Sequence, residues 1–291
     1  MISKNSVRGV MKNAFVKRVT VIFLLLTVIV ALVGCDPSDT PTLRLYFLDV
    51  GQGDAILLRT PEGDVLIDAG TEESQEMLCL RLEQLGVTEL VLAVFTHADS
   101  DHMGGADGVL ETFPVKALWL SDALDASEAS LRLAETLKET DTEVSRVRYG
   151  ASKEIGGAWI SVLHPITDDG ASGNENSLVL KLHYGEIDVL FTGDAGAEQE
   201  KILLDTYGAS QLACDLYHVG HHGSDTSSGK DFLEAMQPRY AVISCEAANV
   251  YGHPTGEVLA RLESVGAEVL RTDLLGEILF ETDGSELIYR K

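Results

Sequence analysis

Short apolar runs separated by turn residues dominate the chain after residue 42. Leu43 to Leu48, Ala55 to Arg59 and Val65 to Ile67 are apolar or alternating, and tetrapeptides that contain Gly separate them. Runs of this length between Gly, Pro and Asp residues are typical of antiparallel strands joined by tight turns. The pattern therefore predicts three successive strands.

Helical and strand periodicities then alternate. Thr71 opens a helical pattern with acidic residues in its first turn, and Gly86 ends it. The next predicted elements are a strand, a short helix, a strand and a helix, at Leu90 to Phe95, after Gly105, at Val115 to Leu120 and at Ser127 to Glu139. Such alternation predicts a layered α/β fold in which helices cover the faces of the sheets.

The second half of the chain is richer in strands. A meander with a turn at Gly185-Glu186 is predicted from three runs, at Ala158 to Leu163, Ser177 to Tyr184 and Ile187 to Phe191. Later strands are predicted at Leu212 to Val219, Arg239 to Cys245, Glu268 to Arg271, Glu277 to Glu281 and Glu286 to Tyr289, with helices at Ala197 to Leu204 and Glu257 to Val265. Polar residues that bind metals recur where these strands end, so we expect them to meet at one edge of the fold.

The polar segment from Thr96 to Gly105 follows the apolar run Leu90 to Phe95, which predicts a buried strand. Two imidazoles and two carboxylates lie within six of its residues, as His-x-Asp-x-Asp-His. An ordinary turn is one interpretation, because Asp and Ser are common in turns and Gly104-Gly105 would end any strand. However, a turn requires no pair of histidines, and four such groups would repel or desolvate one another without a cation. The segment therefore predicts a metal site.

The first 34 residues differ in kind from the rest. Five basic residues without an acid precede an uncharged apolar run from Val19 to Gly34, which is typical of a secretory signal and short for a permanent membrane span. The run closes on Leu32-Val33-Gly34-Cys35, which resembles the lipobox of bacterial lipoproteins and implies that Cys35 is lipidated. A signal anchor that happens to contain a cysteine is the alternative.

These features predict a signal peptide at residues 1–34, a polar tether at 35–42 and one globular domain at 43–291. The tether contains prolines and is expected to be flexible. A lipoprotein anchor carries more than one acyl chain, which gives stable attachment. We therefore expect an extracytoplasmic protein that is anchored by lipid to a bacterial cell membrane.

Charge limits the substrates that the domain can attract. The formal net charge is −24, and removal of the five basic residues of segment 1–34 leaves −29. Such an acidic surface repels phosphate backbones, so a long nucleic acid is not expected as a substrate without a cationic partner. Three further cysteines, Cys79, Cys214 and Cys245, each lie in or beside an apolar run, which favours buried thiols over disulfides.

Seven motifs in order along residues 43–290 resemble the metallo-β-lactamase superfamily and, within it, the hydrolase module of ComEC-type competence proteins. They are Leu48-Asp49-Val50-Gly51-Gln52-Gly53-Asp54-Ala55, Ile67-Asp68-Ala69-Gly70, Thr96 to Gly105, Asn174-Glu175-Asn176-Ser177-Leu178, Phe191-Thr192-Gly193-Asp194, Gly220-His221-His222-Gly223-Ser224 and Tyr251-Gly252-His253-Pro254. The resemblance implies an α/β fold, a four-layer αββα sandwich with a dinuclear metal site at one edge.

The resemblance also implies a ligand set. It comprises His97 and Asp99 on one ion, Asp101 and His102 on the other, Asp194 as a bridge, and one of His221 and His222, with His222 preferred. Asp99 stands where the wider superfamily usually has histidine, and the Asn174 to Ser177 motif replaces a further histidine. The first site is therefore rich in oxygen, so Mn²⁺ and Fe²⁺ are candidates beside Zn²⁺.

Other residues are expected to support the chemistry. Asp101 would orient the nucleophile, and His253 would donate to a phosphoryl oxygen or leaving group. Asp68 is either a simple turn acid or a support of the ligand segment. Asn174, Ser177 and Ser224 are expected to contact the ligands or the substrate.

The predicted function is that of a hydrolase with two divalent ions, Zn²⁺ or Mn²⁺. Two such ions lower the pKa of a shared water, so a metal-bound hydroxide would be the nucleophile. The oxygen-rich site and His253 favour a phosphodiesterase or nuclease-like enzyme, and the charge favours a small or short phosphodiester. An acyl hydrolase of the β-lactamase or thioesterase type and a non-catalytic metal-binding lipoprotein are the alternatives.

Overall fold

A computed structural model describes residues 42–121, 127–166 and 173–291. The predicted signal peptide, Cys35 and the tether up to residue 41 lie outside the described residues. Within the described ranges, no helix is both long enough and apolar enough to cross a membrane.

As the sequence predicts, three successive strands come first, and helices then alternate with strands between residues 63 and 146. The strands are, in chain order, β1 (Leu43–Phe47), β2 (Ile56–Thr60), β3 (Gly63–Ile67), β4 (Leu90–Phe95), β5 (Ala117–Leu120), β6 (Glu143–Arg146), β7 (Ser152–Ile155), β8 (Ala158–His164), β9 (Val179–Tyr184), β10 (Ile187–Phe191), β11 (Leu216–His218), β12 (Tyr240–Ile243), β13 (Glu268–Arg271), β14 (Ile278–Thr282) and β15 (Leu287–Arg290). The α-helices are α1 (Gln75–Gln84), α2 (Ser100–Met103), α3 (Ala106–Thr112), α4 (Glu128–Thr136), α5 (Ala197–Tyr207), α6 (Ala209–Leu212), α7 (Lys230–Met236), α8 (Gly256–Ser264) and α9 (Thr272–Leu275). Short 3₁₀ turns occur at Leu137–Glu139, Gly173–Asn176 and Gly220–Gly223.

The strands form two sheets. One has the order β15-β14-β1-β2-β3-β4-β5-β6, and the other has the order β13-β12-β11-β10-β9-β8-β7. The predicted β1-β2-β3 run is antiparallel, whereas β3 to β6 pair in parallel. In the second sheet β10 to β13 are parallel, so their carboxyl ends lie along one edge.

Three apolar clusters separate the layers. Phe47, Val94 and Phe191 belong to the cluster between the two sheets. A second cluster joins the outer face of the first sheet to α1, α3 and α4, and a third joins the second sheet to α5, α7 and α8. Burying one such aromatic or aliphatic side chain contributes about 1.5–3 kcal/mol. The predicted four-layer αββα order is confirmed.

Several local predictions differ from the structure. The predicted strand from Leu212 to Val219 is wrong in its first half, because residues Ala209–Leu212 form a helical turn and only Leu216–His218 pair as β11. Strand β6 was not predicted, since its residues are mostly exposed at the edge of the sheet and show no apolar run. The prediction of buried free thiols at Cys79, Cys214 and Cys245 is confirmed.

Candidate metal centre

The ligand segment is held rigidly after β4. Helix α2 begins at Ser100, and Asp99 precedes it in an extended conformation, with its carbonyl accepting from His102 N and Met103 N. A Cβ atom at Gly104 would lie 2.6 Å from Glu72 N, and one at Gly105 would lie 2.4 Å from Ala69 O. The two glycines therefore do more than end a strand. A side chain at either position would clash with the backbone of residues 69–72, against which the ligand segment packs.

Three buried side chains from this segment and from the end of β10 meet in one cluster. The Nε2 atom of His102 lies 3.1 Å from Asp194 Oδ1, and the Nε2 atom of His97 lies 3.9 Å from Asp194 Oδ2. Potential ligand atoms of the three residues all lie within 4.8 Å of one another. A second group with the same spacing comprises Asp101, His102 and His222.

His221 and His222 both reach this cluster, although neighbouring side chains usually diverge. Both residues have left-handed backbone angles, with φ of 51° and 53°. Such angles cost non-glycine residues about 1–2 kcal/mol each, and strain of this kind persists where the surroundings impose it. The turn brings His221 Nε2 to 3.5 Å from Asp194 Oδ2 and His222 Nε2 to 4.0 Å from Asp194 Oδ1.

The two oxygens of Asp194 thus face different histidines. Oδ2 faces His97 and His221, whereas Oδ1 faces His102 and His222. On the Oδ2 side, Asp99 is about half exposed and lies 3.7 Å from His97 Nε2. On the Oδ1 side, an oxygen of Asp101 lies 3.1 Å from His222 Nε2.

Unpartnered polar atoms show that this donor set fits a cation. His97 Nε2, His102 Nε2 and Asp194 Oδ1 are buried, and none has a hydrogen-bond partner of acceptable geometry within the described ranges. Buried polar atoms without a partner are costly and rare. Imidazole and carboxylate are common ligands of Zn²⁺ and Mn²⁺. The residues that meet here are therefore suited to divalent metal ions.

The pKa shifts in the cluster also indicate that it is suited to cations. Burial disfavours the charged form of Asp194, but His102, His222 and His97 outweigh burial and lower its pKa far below the usual range. Burial also opposes charge on His222, yet Asp54, Asp101 and Asp194 raise its pKa to about 10. The carboxylates therefore demand nearby positive charge, which protons or metal ions can supply.

Asp68 forms hydrogen bonds with the ligand segment. It is buried and has a φ of 58°. Its Oδ1 accepts from Thr96 N at 2.7 Å, and its Oδ2 accepts from Thr96 Oγ1 at 2.8 Å and lies 2.9 Å from His102 Nδ1. A carboxylate only accepts, so His102 Nδ1 carries a proton, and Nε2 is the nitrogen that would bind a metal ion. Asp68 therefore contacts the ligand segment at both Thr96 and His102, as the second of the two interpretations expects.

The three predicted polar contacts lie behind the ligands. Ser177 is buried, and its Oγ accepts from Asp194 N at 3.2 Å. The backbone carbonyl of Asn174 accepts a hydrogen bond from Ser177 N at 3.2 Å. Ser224 Oγ lies 2.9 Å from the Thr226 hydroxyl, which in turn lies 3.2 Å from His221 Nδ1.

Asp54, which belongs to the first of the seven motifs, is a further residue of the cluster that was not predicted from the sequence. It is buried behind three imidazoles, 3.4 Å from His222 Nδ1, 3.6 Å from His218 Nε2 and 3.7 Å from His102 Nδ1. Burial raises its pKa, but His218 and His222 outweigh burial and bring the pKa well below the usual range. No local signal marks this role, because the contacts join distant segments of the chain.

The cluster opens into a cavity of about 430 Å³ that lies within the usual size range of small-molecule sites. The residues that line it are Gln52, Ala98, Asp99, Ser100, Asp101, Ser127, Asp194, His221, His222, Tyr251 and His253. The His253 ring packs edge-on against His221 at 5.7 Å. Burial, followed by His221 and His222, lowers the pKa of His253.

Comparison with known proteins gives matches in sequence. Residues 48–247 match the family described as the metallo-beta-lactamase superfamily. ComE operon protein 3 of Bacillus subtilis is 32% identical over 251 residues, which are 80% of this chain and 32% of that protein. Competence protein ComA of Neisseria gonorrhoeae is 34% identical over 233 residues, which are 80% of this chain and 31% of that protein. The chain thus spans about a third of the length of these relatives.

Solved structures match in fold. The metallo-beta-lactamase fold protein YhfI from Bacillus subtilis has a TM-score of 0.52 at 13% identity, with 83% of this chain and 99% of that chain covered. A diphosphatase from the PhnP family has a TM-score of 0.51 at 15% identity, with 82% and 98% covered. At such identities the likeness shows the fold alone.

Proposed function

Because this chain belongs to the metallo-β-lactamase superfamily, we propose that it is a dinuclear metal-dependent hydrolase of small or short phosphodiesters. The resemblance to this superfamily and to competence proteins, stated from the sequence motifs, is confirmed. The superfamily consists mostly of hydrolases with metal-binding groups of this kind. The number of ions and the substrate class are the parts that we propose.

The division of Asp194 between two pairs of histidines carries the proposal of two ions. One half-site would use His97, Asp99 and His221 with Oδ2, and the other would use Asp101, His102 and His222 with Oδ1. In this assignment both neighbouring histidines are ligands, one in each half-site. The first half-site would then have two imidazoles and two carboxylates, a set that both Zn²⁺ and Mn²⁺ accept.

The chain's own residues would position the reacting groups. Two bound ions supply a water of lowered pKa and neutralise charge on phosphoryl oxygens. Asp101 borders the cavity beside His222 and would orient the attacking water. His253, on the same wall, would donate a hydrogen bond to a phosphoryl oxygen or to the leaving group. Asp68 and Ser177 would keep the ligands in place.

Charge supports a small or short substrate over a long one. The chain carries a formal net charge of −24, and no Lys or Arg is found among the described residues that line the cavity. A long polyanion would gain little from counterion release at such a surface. A single phosphodiester needs only the ions and the donors beside them.

We also propose attachment to the extracytoplasmic face of a bacterial membrane through lipid on Cys35. The apolar run and lipobox-like sequence at residues 19–35 support this. The sequence relatives are competence proteins, which is consistent with a role at a membrane.

Metal analysis combined with a substrate screen tests the proposed function. The purified protein should bind two divalent ions and hydrolyse bis(p-nitrophenyl) phosphate with Zn²⁺ or Mn²⁺. Efficient cleavage of lactams or thioesters with no cleavage of phosphodiesters would favour an acyl hydrolase. Bound metal with no hydrolysis of any of these substrates would favour a non-catalytic binding protein.

Histidine variants test the half-sites separately. His221→Ala and His222→Ala should each retain about one tightly bound ion, because each removes an imidazole from a different half-site. His183→Ala is a matched control, since His183 is exposed and contacts Asp188 at the start of β10, whereas Asp194 follows the other end of that strand. A His221→Ala protein that still binds two ions with unchanged affinity would contradict the assignment of His221.

A further inference from the structure

The loop after β12 carries an exposed tyrosine to the mouth of the cavity, and Asn249 clamps this loop. The Asn249 side chain accepts from His253 N at 3.0 Å and donates to Glu246 O at 2.9 Å. It also donates to His253 O, and Gly252 N donates to Asn249 O at 3.3 Å. The hydrogen bonds of the Asn249 side chain therefore fix the loop, with Tyr251 at its tip.

The same loop is fastened to the histidine turn. Thr255 N donates to Gly223 O at 2.9 Å, directly after His222. A Cβ atom at Gly223 would lie only 2.5 Å from Pro254 Cβ, so the two segments approach as closely as a glycine allows. Because the loop is tied both to itself and to the site, its geometry relative to the metal ligands is set before any substrate binds.

Three aromatic rings lie in a row from the cluster to the tip of this loop. The ring centroids of His221 and His253 are 5.7 Å apart in an edge-on arrangement. Those of His253 and Tyr251 are 5.8 Å apart, with an interplanar angle of 24°. Tyr251 lines the cavity yet is 66% exposed. A tyrosine ring that is open to solvent beside a cavity offers a large flat apolar face for contact with a ligand.

The remaining walls offer a substrate few other sources of affinity. Within the described part of the lining, the side chains are acidic, hydroxyl, amide, imidazole or alanine, apart from Tyr251. Neither Lys nor Arg is among the described residues that line the cavity, and the net charge is strongly negative, so electrostatic attraction adds little to the binding of the outer part of an anion. Among the described residues that line the cavity, Tyr251 has the largest aromatic ring, and stacking on this ring is the remaining source of affinity.

We propose that Tyr251 is a substrate-positioning residue whose ring stacks on a flat aromatic group that the substrate carries next to its phosphoryl group. A nucleobase and an aryl ester share this chemistry. The inference rests on the proposed function, because it places a phosphoryl group at the metal centre. It adds a selectivity for aromatic over purely aliphatic phosphate esters.

Paired product-like ligands test this role by binding alone. Isothermal titration of the metal-loaded protein would compare thymidine 5′-monophosphate with deoxyribose 5-phosphate, and phenyl phosphate with methyl phosphate. Stacking of one ring should tighten binding about 5- to 150-fold, which corresponds to about 1–3 kcal/mol. A preference in the first pair alone would identify a nucleobase as the partner, and a preference in both pairs would identify any aryl group.

Variants of the loop separate stacking from a general structural effect. Tyr251→Ala should abolish the preference within a pair and leave the affinity for the non-aromatic member unchanged, whereas Tyr251→Phe should retain the preference. Val250→Ala is the control, because Val250 is 93% exposed on the same loop. Asn249→Ala should weaken the preference although the tyrosine is intact, since the clamp is lost.

Two results would overturn the inference. One is equal binding of aromatic and non-aromatic members by the wild-type protein, and the other is an unchanged preference in Tyr251→Ala. Failure of the proposed function would appear separately, as a wild-type protein that hydrolyses no phosphodiester in the substrate screen. Because the titrations need no turnover, they decide the role of Tyr251 in that case as well.

Discussion

Asp68→Asn should weaken metal binding while the fold keeps most of its stability. The substitution keeps the shape of the side chain but turns one acceptor into a donor. The Oδ1 position can still accept from Thr96 N, as it does at 2.7 Å. An amide NH₂ at the Oδ2 position would face His102 Nδ1, now 2.9 Å away, and would require that nitrogen to accept. The proton of His102 would then move to Nε2, which lies 3.1 Å from Asp194 Oδ1.

The size of the effect follows from these contacts. Loss of the partner that orients a ligating histidine typically costs 10- to 100-fold in metal affinity, so we expect a loss of about that size. The free energy of unfolding of the metal-free protein should fall by only about 1–2 kcal/mol, because the Thr96 hydroxyl can rotate to accept. Asp68→Ala should be worse, at about 3–5 kcal/mol, since three buried donors lose their acceptor.

Two assays measure these quantities separately. Competition with a chelator gives the affinity for Zn²⁺ or Mn²⁺, and urea denaturation of the metal-free protein gives the free energy of unfolding. Asp64→Asn is the matched control, because Asp64 is a buried carboxylate at the other end of β3 that pairs with Arg59 at 2.8 Å. This control should lose stability but keep its metal affinity. Unchanged affinity in Asp68→Asn, or an equal loss in both variants, would refute the reasoning.

Four further predictions address the bridge, the donor, a buried acid and the anchor. Asp194→Ala should lose both bound metal, measured by elemental analysis, and hydrolytic activity, and a fully active variant would contradict the bridging role. Chelation of the metal should also lower the melting temperature of the wild-type protein. His253→Ala should reduce turnover about 10²- to 10³-fold with unchanged metal content, and a matching loss of metal would argue for a ligand role instead. Burial raises the pKa of Glu200 from 4.5 to about 7, so its stabilising proton is fully bound below pH 4.5 and is lost as the pH rises through 7. Urea denaturation across this range should show a decline of at most about 3 kcal/mol from this group that Glu200→Gln abolishes, and an equal slope in the variant would exclude the assignment. Cys35→Ser should abolish acyl labelling in cells, and label that persists would disprove the lipobox interpretation.

The local sequence pattern predicted many of the strands and helices and the position of the candidate metal site. The bounds of β4 were predicted as they are observed, because a fully buried strand is a continuous apolar run that ends at the first polar residue. The following segment from His97 to His102 predicted a metal site on its own, since four ligand groups within six residues have no common structural use. The order of strands and helices likewise indicated the layered fold, because each element's periodicity reports which face it buries.

Exposed and short elements could not be predicted in the same way. Strand β6 lies at a sheet edge with almost no buried side chain, so its backbone pairing with β5 is what makes it a strand. The run from Leu212 to Val219 looked like one strand because apolar residues continue through it. In the structure a helical turn ends at Leu212, and only three residues find parallel partners on both sides.

The arrangement of the site was decided by tertiary structure. Asp54 and His218 appeared unremarkable in sequence, yet they lie 3.6 Å apart behind the ligands because β11 ends beside the loop that follows β1. The consecutive histidines 221 and 222 reach different oxygens of Asp194 only because their backbone is left-handed. Sequence patterns report which side chains are present and which face each element buries. Which of those side chains meet is decided by the packing of the two sheets, because that packing brings the end of β4 in one sheet beside the ends of β10 and β11 in the other.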